Sequence, residues 1–116
     1  EHIKTVEDLL KLGADINATS NEGTTPLLFA TAKGKSVTVK YLLQQGAKID
    51  TANNDGYTAL HIAALNNYLQ IVEILINYGA NKNAKTEDGD TPLDFCKLNC
   101  EFDENYQQKI ENLLSN

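Results

Sequence analysis

The stretch DGYTALHIAALNN, residues 55–67, contains residue types that acid–base catalysis uses. It includes His61, one of two histidines in the 116-residue chain. Histidine titrates near neutral pH and is the side chain most often used as a general base. Cys96 and Cys100 are the second candidates for chemistry, because a thiolate is a strong nucleophile. The chemistry of the histidine and of the cysteines depends on the helices and turns that position them. The organisation of the chain therefore decides whether their roles are catalytic or structural.

Two glycine ladders with one common period run through the chain. Glycines 13, 46 and 79 begin the segments GADIN, GAKID and GANKN, and glycines 23, 56 and 89 end the segments NEG, NDG and EDG. Threonines 25, 58 and 91 keep the same spacing. Interleaved ladders of one period indicate internal repeats.

Each repeat carries the signals of a tight turn followed by two helices. The first glycine ladder comes three positions after apolar pairs such as Leu42-Leu43, where a helix ends in left-handed geometry. The second ladder lies in polar clusters that are typical of turns. Threonine followed by proline, as in Thr25-Pro26, starts a first helix. SVTVKYLLQQ and LQIVEILINY have the apolar spacing of a second helix.

At these residues the chain resembles the ankyrin repeat, whose signature includes T-P-L-H-x-A in the first helix and G-A-D-x-N after the second. The resemblance covers essentially the whole chain. It implies an all-α solenoid of stacked helix-turn-helix units with hairpin-like β-turn loops, seven helices in one domain. The alignment predicts a partial repeat at 1–19, full repeats at 20–52 and 53–85, and a C-terminal capping repeat at 86–116.

The chain departs from this signature at several positions. Leu28 and Asp94 replace the histidine of the motif, and Ala59 replaces its proline. Asn67 stands where Gly34 stands one repeat earlier, and asparagine can fill that position because it tolerates left-handed geometry.

The two ends also differ from the regular pattern. The predicted N-terminal helix, about residues 3–12, has no partner helix from its own repeat, so we expect further ankyrin sequence upstream, or at least the missing helix. Near the C-terminus, the apolar pair Leu113-Leu114 comes five positions later than the period predicts from Leu75-Ile76. The extra residues are therefore expected between the last two helices, in CEFDEN.

The repeat alignment argues against catalysis by His61. Equivalent positions on stacked helices, such as those of His61 and Asp94, lie about 8–10 Å apart, whereas a general base needs its partner within about 3 Å. The resemblance implies instead that His61 hydrogen-bonds loop backbone of neighbouring repeats. Cys96 aligns with buried alanines and is predicted to be a core residue, while a reactive thiol at Cys100 stays open. We predict no enzyme activity, cofactor or metal site.

Charge and hydropathy exclude further classes. The net charge of −6 and the absence of arginine argue against nucleic-acid binding. No apolar run approaches the roughly 20 residues of a membrane span, and cysteines 96 and 100 support no disulfide framework. We expect a monomeric, intracellular protein, cytoplasmic with the nucleus as an alternative.

The resemblance implies a concave binding face made of the loop tips and the first helices. Mapped onto this chain, the predicted partner-binding residues are Glu22, Thr24, Lys33, Asp55, Tyr57, Leu65, Asn66, Asp88, Asp90 and Leu98. Tyr57 and Leu65 form the expected centre, since tyrosine is enriched in binding hot spots. In the alternative interpretation Tyr57 lies against its turn and Leu65 packs between helices.

The predicted function is protein–protein interaction. Lysines cluster in the first full repeat and carboxylates in the last, which favours a partner with a basic segment; a solvated capping repeat is the alternative. The competing hypothesis is an accessory or oligomerising segment of a larger multidomain protein with its catalytic domain upstream.

Overall fold

The computed structural model describes residues 15–98 and 104–115, and this part of the chain contains six helices and no strand. The helices are α1 Pro26–Ala32, α2 Ser36–Gln44, α3 Ala59–Leu65, α4 Leu69–Asn77, α5 Pro92–Leu98 and α6 Glu104–Ser115. The predicted helix near residues 3–12, with its Gly13, and Cys100 lie outside the described residues. None of the six helices has the length and apolar content that crossing a bilayer requires.

The helices form two layers. Consecutive helices pack in pairs, α1 with α2, α3 with α4 and α5 with α6. Helices α1, α3 and α5 stack in one layer, and α2, α4 and α6 stack in the other. The core between the layers includes Leu27, Val39, Leu42, Leu60, Val72, Leu75, Phe95 and Ile110. The predicted all-α stack of helix pairs is confirmed.

The first helices begin at capping threonines, as the sequence predicts. The Oγ1 atom of Thr25 accepts the amide of Leu28 at 3.2 Å, and that of Thr58 accepts the amide of His61 at 3.4 Å. Pro26 occupies the first turn of α1. Helices α2 and α4 begin without a side-chain cap, so no N-cap side chain accepts the first-turn amides, which have no acceptor within the helix.

The turns inside the first two helix pairs share one backbone geometry. Gly34 has φ 70° and Asn67 has φ 57°, so the predicted left-handed asparagine is confirmed. Asn67 is only 5% exposed, and neither atom of its side-chain amide has a hydrogen-bond partner within the described ranges. The backbone geometry at this position therefore suits asparagine, but the side-chain amide of Asn67 makes no hydrogen bond within the described ranges.

The last helix takes up some of the extra residues near the C-terminus. Helix α6 has 12 residues where α4 has nine, and residues 99–103, which precede it, lie outside the described part of the chain. The expectation that all the extra residues lie between the helices is therefore wrong, since three of them lengthen α6.

Two equivalent side chains join the loops of consecutive repeats. The Oδ1 atom of Asn17 accepts the amide of Lys48 at 2.9 Å. The Oδ1 atom of Asp50, at the same position one repeat later, accepts the amide of Asn81 at 2.9 Å. The last residue of GADIN and of GAKID thus carries a bond between repeats.

We expect Asn67→Gly to raise the free energy of unfolding by about 1 kcal/mol, because glycine adopts a positive φ freely and removes a buried, unpaired amide. Urea unfolding followed by circular dichroism measures the change. Asn66→Gly is the matched control. Asn66 has φ −92° and its side chain donates to the carbonyl of Ile62, so this substitution should destabilise the chain. A loss of stability in Asn67→Gly would contradict the expectation.

We expect Asp50→Ala to lower the free energy of unfolding by about 1 kcal/mol, since the amide of Asn81 loses its acceptor. Asp50→Asn should retain most of that stability, because Asn17 makes the same bond in the preceding repeat. Equal losses in the two variants, measured by urea unfolding, would show that the bond contributes little.

Candidate functional site

His61 is held by hydrogen bonds at both ring nitrogens. Its side chain is fully buried. The amide of Thr58 donates to Nδ1 at 3.2 Å, and Nε2 lies 2.8 Å from the carbonyl oxygen of Asp90 in the next loop. A carbonyl only accepts and an amide only donates, so the proton is on Nε2 and Nδ1 is the acceptor. The predicted structural role of His61 is confirmed, and it joins the start of α3 to the following loop.

The other side chains that could take part in catalysis also make structural contacts. Cys96 is fully buried, as predicted, and its thiol donates weakly to the Gln107 carbonyl at 3.9 Å. Burial, and next the charge of Glu111, raise the pKa of this thiol to about 11, so it stays protonated. Hydrogen bonds from the backbone and side chain of Thr91 lower the pKa of Asp94. No metal-binding cluster of histidine, cysteine or carboxylate side chains occurs within the described ranges.

The loop tips of consecutive repeats touch each other. The backbone amide of Asn54 donates to the carbonyl of Glu22 at 3.0 Å, and its side chain donates to the carbonyl of Asn21 at 2.9 Å. One repeat later, the amide of Glu87 lies 3.4 Å from the carbonyl of Asp55. The tips therefore form a continuous edge rather than independent fingers.

Gly56 allows the second of these contacts. It has φ 84°, and a Cβ atom built on it would lie 2.8 Å from the backbone nitrogen of Glu87 and 3.0 Å from the Cα of Thr86. Backbone atoms cannot yield as a flexible side chain does. Glycine is required here both by the turn and by the close approach of the next loop.

Three carboxylates are exposed along this edge at a spacing of one repeat. Glu22, Asp55 and Asp88 occupy the same position in consecutive tips, and each is exposed. Thr24 and Asp90, also predicted binding residues, are half-buried at the base of the tips. Since the amides that join neighbouring tips bind backbone carbonyls, the acidic side chains stay available to solvent.

Tyr57 lies across the boundary between two repeats. Its ring is half-buried and meets the ring of Phe95 edge-on, with the centroids 4.9 Å apart. The ring of His61 lies 5.1 Å from that of Phe95, so three rings form one cluster. Tyr57 therefore packs on the following repeat, beyond its own turn, while part of its surface stays accessible.

The C-terminal ends of the first helices carry the remaining predicted residues. Leu98 is 69% exposed and Lys33 is exposed, with its Nζ atom 5.5 Å from the centre of the Phe29 ring. Leu65 is half-buried against the core, and Asn66 is half-buried with its side chain donating to the Ile62 carbonyl. Leu98 is thus the most solvent-exposed apolar group of the predicted set.

Sequence reasoning missed the exposure of one phenylalanine and the burial of another in the layer formed by α1, α3 and α5. Phe29 is 48% exposed on α1, and Phe95, at the equivalent position of α5, is only 4% exposed because the ring of Tyr57 packs on it. The repeat period aligns these two phenylalanines, which was the available signal. It does not reveal which of them a neighbouring side chain covers.

We expect His61→Leu to remove a pH dependence of stability. Desolvation lowers the pKa of His61 below its usual value of 6.5, so the folded state binds the proton less readily than the unfolded state. Wild-type stability is therefore complete above pH 6.5 and falls as the pH drops from there through the lowered folded-state pKa. The His61→Leu variant carries the residue that occupies the equivalent position 28. It should be less stable than the wild type by about 1–3 kcal/mol at pH 7.5 but lose less stability on acidification.

Urea unfolding at pH 7.5 and pH 5.5 checks this, and the comparison of the two chains isolates His61 from other titrating groups. Identical pH dependence in wild type and variant would contradict a lowered pKa of His61 in the folded state.

Comparison with known proteins agrees with the helix pairs and the glycine ladders. A family model for ankyrin repeats, in three copies, matches residues 1–86. No curated protein matches the chain. The matched residues make up most of the 116-residue sequence and include the first two described helix pairs. The chain belongs to the ankyrin repeat family.

Proposed function

We propose that this chain is a non-enzymatic module that binds a partner protein across its first-helix layer and loop tips. Ankyrin repeats generally act in protein–protein interactions and are typically non-catalytic. The observation that carries the proposal is the exposure of a large apolar side chain, Leu98, in the same first-helix layer that begins at the tips with their exposed carboxylates. Exposed apolar groups supply binding area, and a charged rim adds specificity.

The central contact in this proposal is the surface formed by Tyr57, Leu65 and Leu98. Tyr57 is pre-positioned by Phe95, at 4.9 Å between ring centroids, so little side-chain entropy is lost when a partner covers it. Leu65 is half-buried on the core and offers a smaller area. Lys33 and Asn66 lie at the ends of α1 and α3 and form the polar boundary of this surface.

The acidic edge supports a partner with a basic segment. Carboxylates 22, 55 and 88 are exposed and spaced by one repeat, and Asp90 lies at the base of the last tip. A partner with lysine or arginine side chains at matching intervals would associate faster at low salt, since complementary charges mainly raise the association rate. The same edge would repel nucleic acid.

The proposal has three further parts: the compartment, the oligomeric state and the repeat boundaries. The buried Cys96 is a free thiol, which fits a reducing, intracellular and cytoplasmic setting. The proposed protein is monomeric and organised as a partial repeat at 1–19, two full repeats at 20–52 and 53–85, and a capping repeat at 86–116. The half-buried, partly acidic α6 is compatible with such a cap.

We expect Leu98→Glu to weaken partner binding by at least about fivefold, because it places a charge in the centre of the contact. Val37→Glu is the matched control. Val37 is 65% exposed, close to the 69% of Leu98, but lies on α2 in the opposite layer. The partner is isolated from the native cell with the wild-type chain as bait, and its affinity for each variant is measured by calorimetry. Equal weakening by both variants, or by neither, would sink the proposed surface.

We expect Tyr57→Ala to reduce affinity by more than about 1 kcal/mol while retaining helix content. Because the ring packs on Phe95, the variant should also be less stable, so binding is measured well below its unfolding temperature. Unchanged affinity in this variant would place the contact elsewhere.

A further inference from the structure

The first-helix layer carries apolar side chains at two positions of every repeat. The first position is occupied by Phe29, Ile62 and Phe95, and the second by Ala32, Leu65 and Leu98. Phe29 and Leu98 are 48% and 69% exposed, and Ala32 is exposed as well. Phe95 is covered, but by the ring of Tyr57, which is itself half-buried and aromatic. The apolar face therefore extends beyond Tyr57, Leu65 and Leu98 into the first described helix pair.

The two edges of this apolar face carry opposite charge. At the N-terminal ends of the first helices lie the loop tips, with exposed carboxylates one repeat apart at Glu22, Asp55 and Asp88. At the C-terminal ends lie two exposed lysines, Lys33 at the C-cap of α1 and Lys97 in the last turn of α5. A binding segment that matches both edges therefore has basic side chains on one flank and acidic side chains on the other.

The distance between repeats selects the conformation of that segment. Packed helices lie about 8–10 Å apart, so equivalent residues of neighbouring repeats are separated by roughly that distance. Seven residues of an α-helix make about two turns and advance about 10.5 Å, so a heptad places side chains of one face against each repeat in turn. Side chains on one face of a β-strand are about 6.6 Å apart and fall out of step with the repeats.

The width of the apolar face also favours a helix. Phe29 and Ala32 are separated by about one turn along α1, and Ile62 and Leu65 by about one turn along α3. Each repeat thus offers two apolar contacts side by side. An amphipathic helix has an apolar stripe wide enough to cover both. A polyproline II chain advances about 9.3 Å per turn of three residues, which matches the repeat, but it presents only one row of side chains on each face.

We propose that the first-helix layer binds an amphipathic α-helix of the partner, which lies across α1, α3 and α5 with its apolar residues at heptad spacing. Its basic flank follows the loop tips, and its acidic flank faces Lys33 and Lys97. The inference rests on the proposed function and adds the conformation and the period of the bound segment. It also makes Phe29 a contact residue for the partner. Three heptads, about 32 Å of helix, are long enough to reach all three first helices.

The test uses a fluorescently labelled peptide of three heptads, with leucine at the first and fourth positions of each heptad, lysine at the fifth and glutamate at the seventh. One control peptide has proline in the middle of the central heptad. A second control peptide is proline-rich, with leucine and lysine at intervals of three residues. Fluorescence anisotropy measures the affinity of the wild-type chain for each. We expect saturable binding of the helical peptide and at least about tenfold weaker binding of the first control, because proline inside a helix costs about 3 kcal/mol.

Variants of α1 test the place of the contact. Phe29→Glu and Ala32→Glu should each weaken binding of the helical peptide at least about fivefold, because each puts a carboxylate into the apolar face. Val37→Glu, at a position 65% exposed in the opposite layer, is the matched control and should bind as the wild type does. Two variants on α1 keep the test decisive if one of them fails to fold. Wild-type affinity in both would overturn the inference.

Failure of this inference differs from failure of the proposed function. If the partner isolated from the native cell binds Leu98→Glu more weakly than the wild type, the proposed surface stands. In that case, absence of saturable binding by the helical peptide, or tighter binding of the proline-rich peptide, shows that the helical mode alone is wrong. If Leu98→Glu binds the isolated partner as the wild type does, the proposed surface and this inference are both overturned.

Discussion

A pair of short helices cannot bury its own apolar faces, and every other feature of this chain follows from that constraint. Helices of seven and nine residues are too short to be stable alone. Stacking pairs of them gives each layer a continuous apolar interior, with Ala63, Val72 and Leu75 fully buried in the second described pair. Each pair mainly contacts its immediate neighbours, so stability is a sum of interfaces between repeats.

Polar groups specify how the pairs stack, and this determines where function can lie. His61 connects the start of α3 to the carbonyl of Asp90, and the side chains of Asn17 and Asp50 accept amides of the following loop. Because these bonds have narrow geometry, they set the register of one repeat on the next. What stacking leaves over is the surface: the exposed carboxylates of the tips and the exposed ends of the first helices. Proteins of this architecture can therefore change their binding properties without altering the positions that hold the repeats together.

The partner surface shows how far sequence reasoning reaches. Leu98 and the three tip carboxylates are exposed, as their positions in the repeat predict. Tyr57, expected at the centre, is half covered, because its ring has Phe95 of the next repeat as a neighbour. The position of a residue within the repeat predicts which helix layer it occupies. The accessible area of that residue depends on which side chain of the next repeat lies against it.

The sequence by itself determined the helix pairs, their capping threonines, the left-handed turns and the buried position of Cys96. Those features depend on signals within a few residues, repeated at a fixed period. Only the tertiary structure decided which apolar side chains remain exposed, how α6 absorbs extra residues, and that the Asn67 amide is buried without a partner among the described residues. These outcomes depend on groups that are a whole repeat away in the sequence, and the packing of one repeat on the next sets their distances.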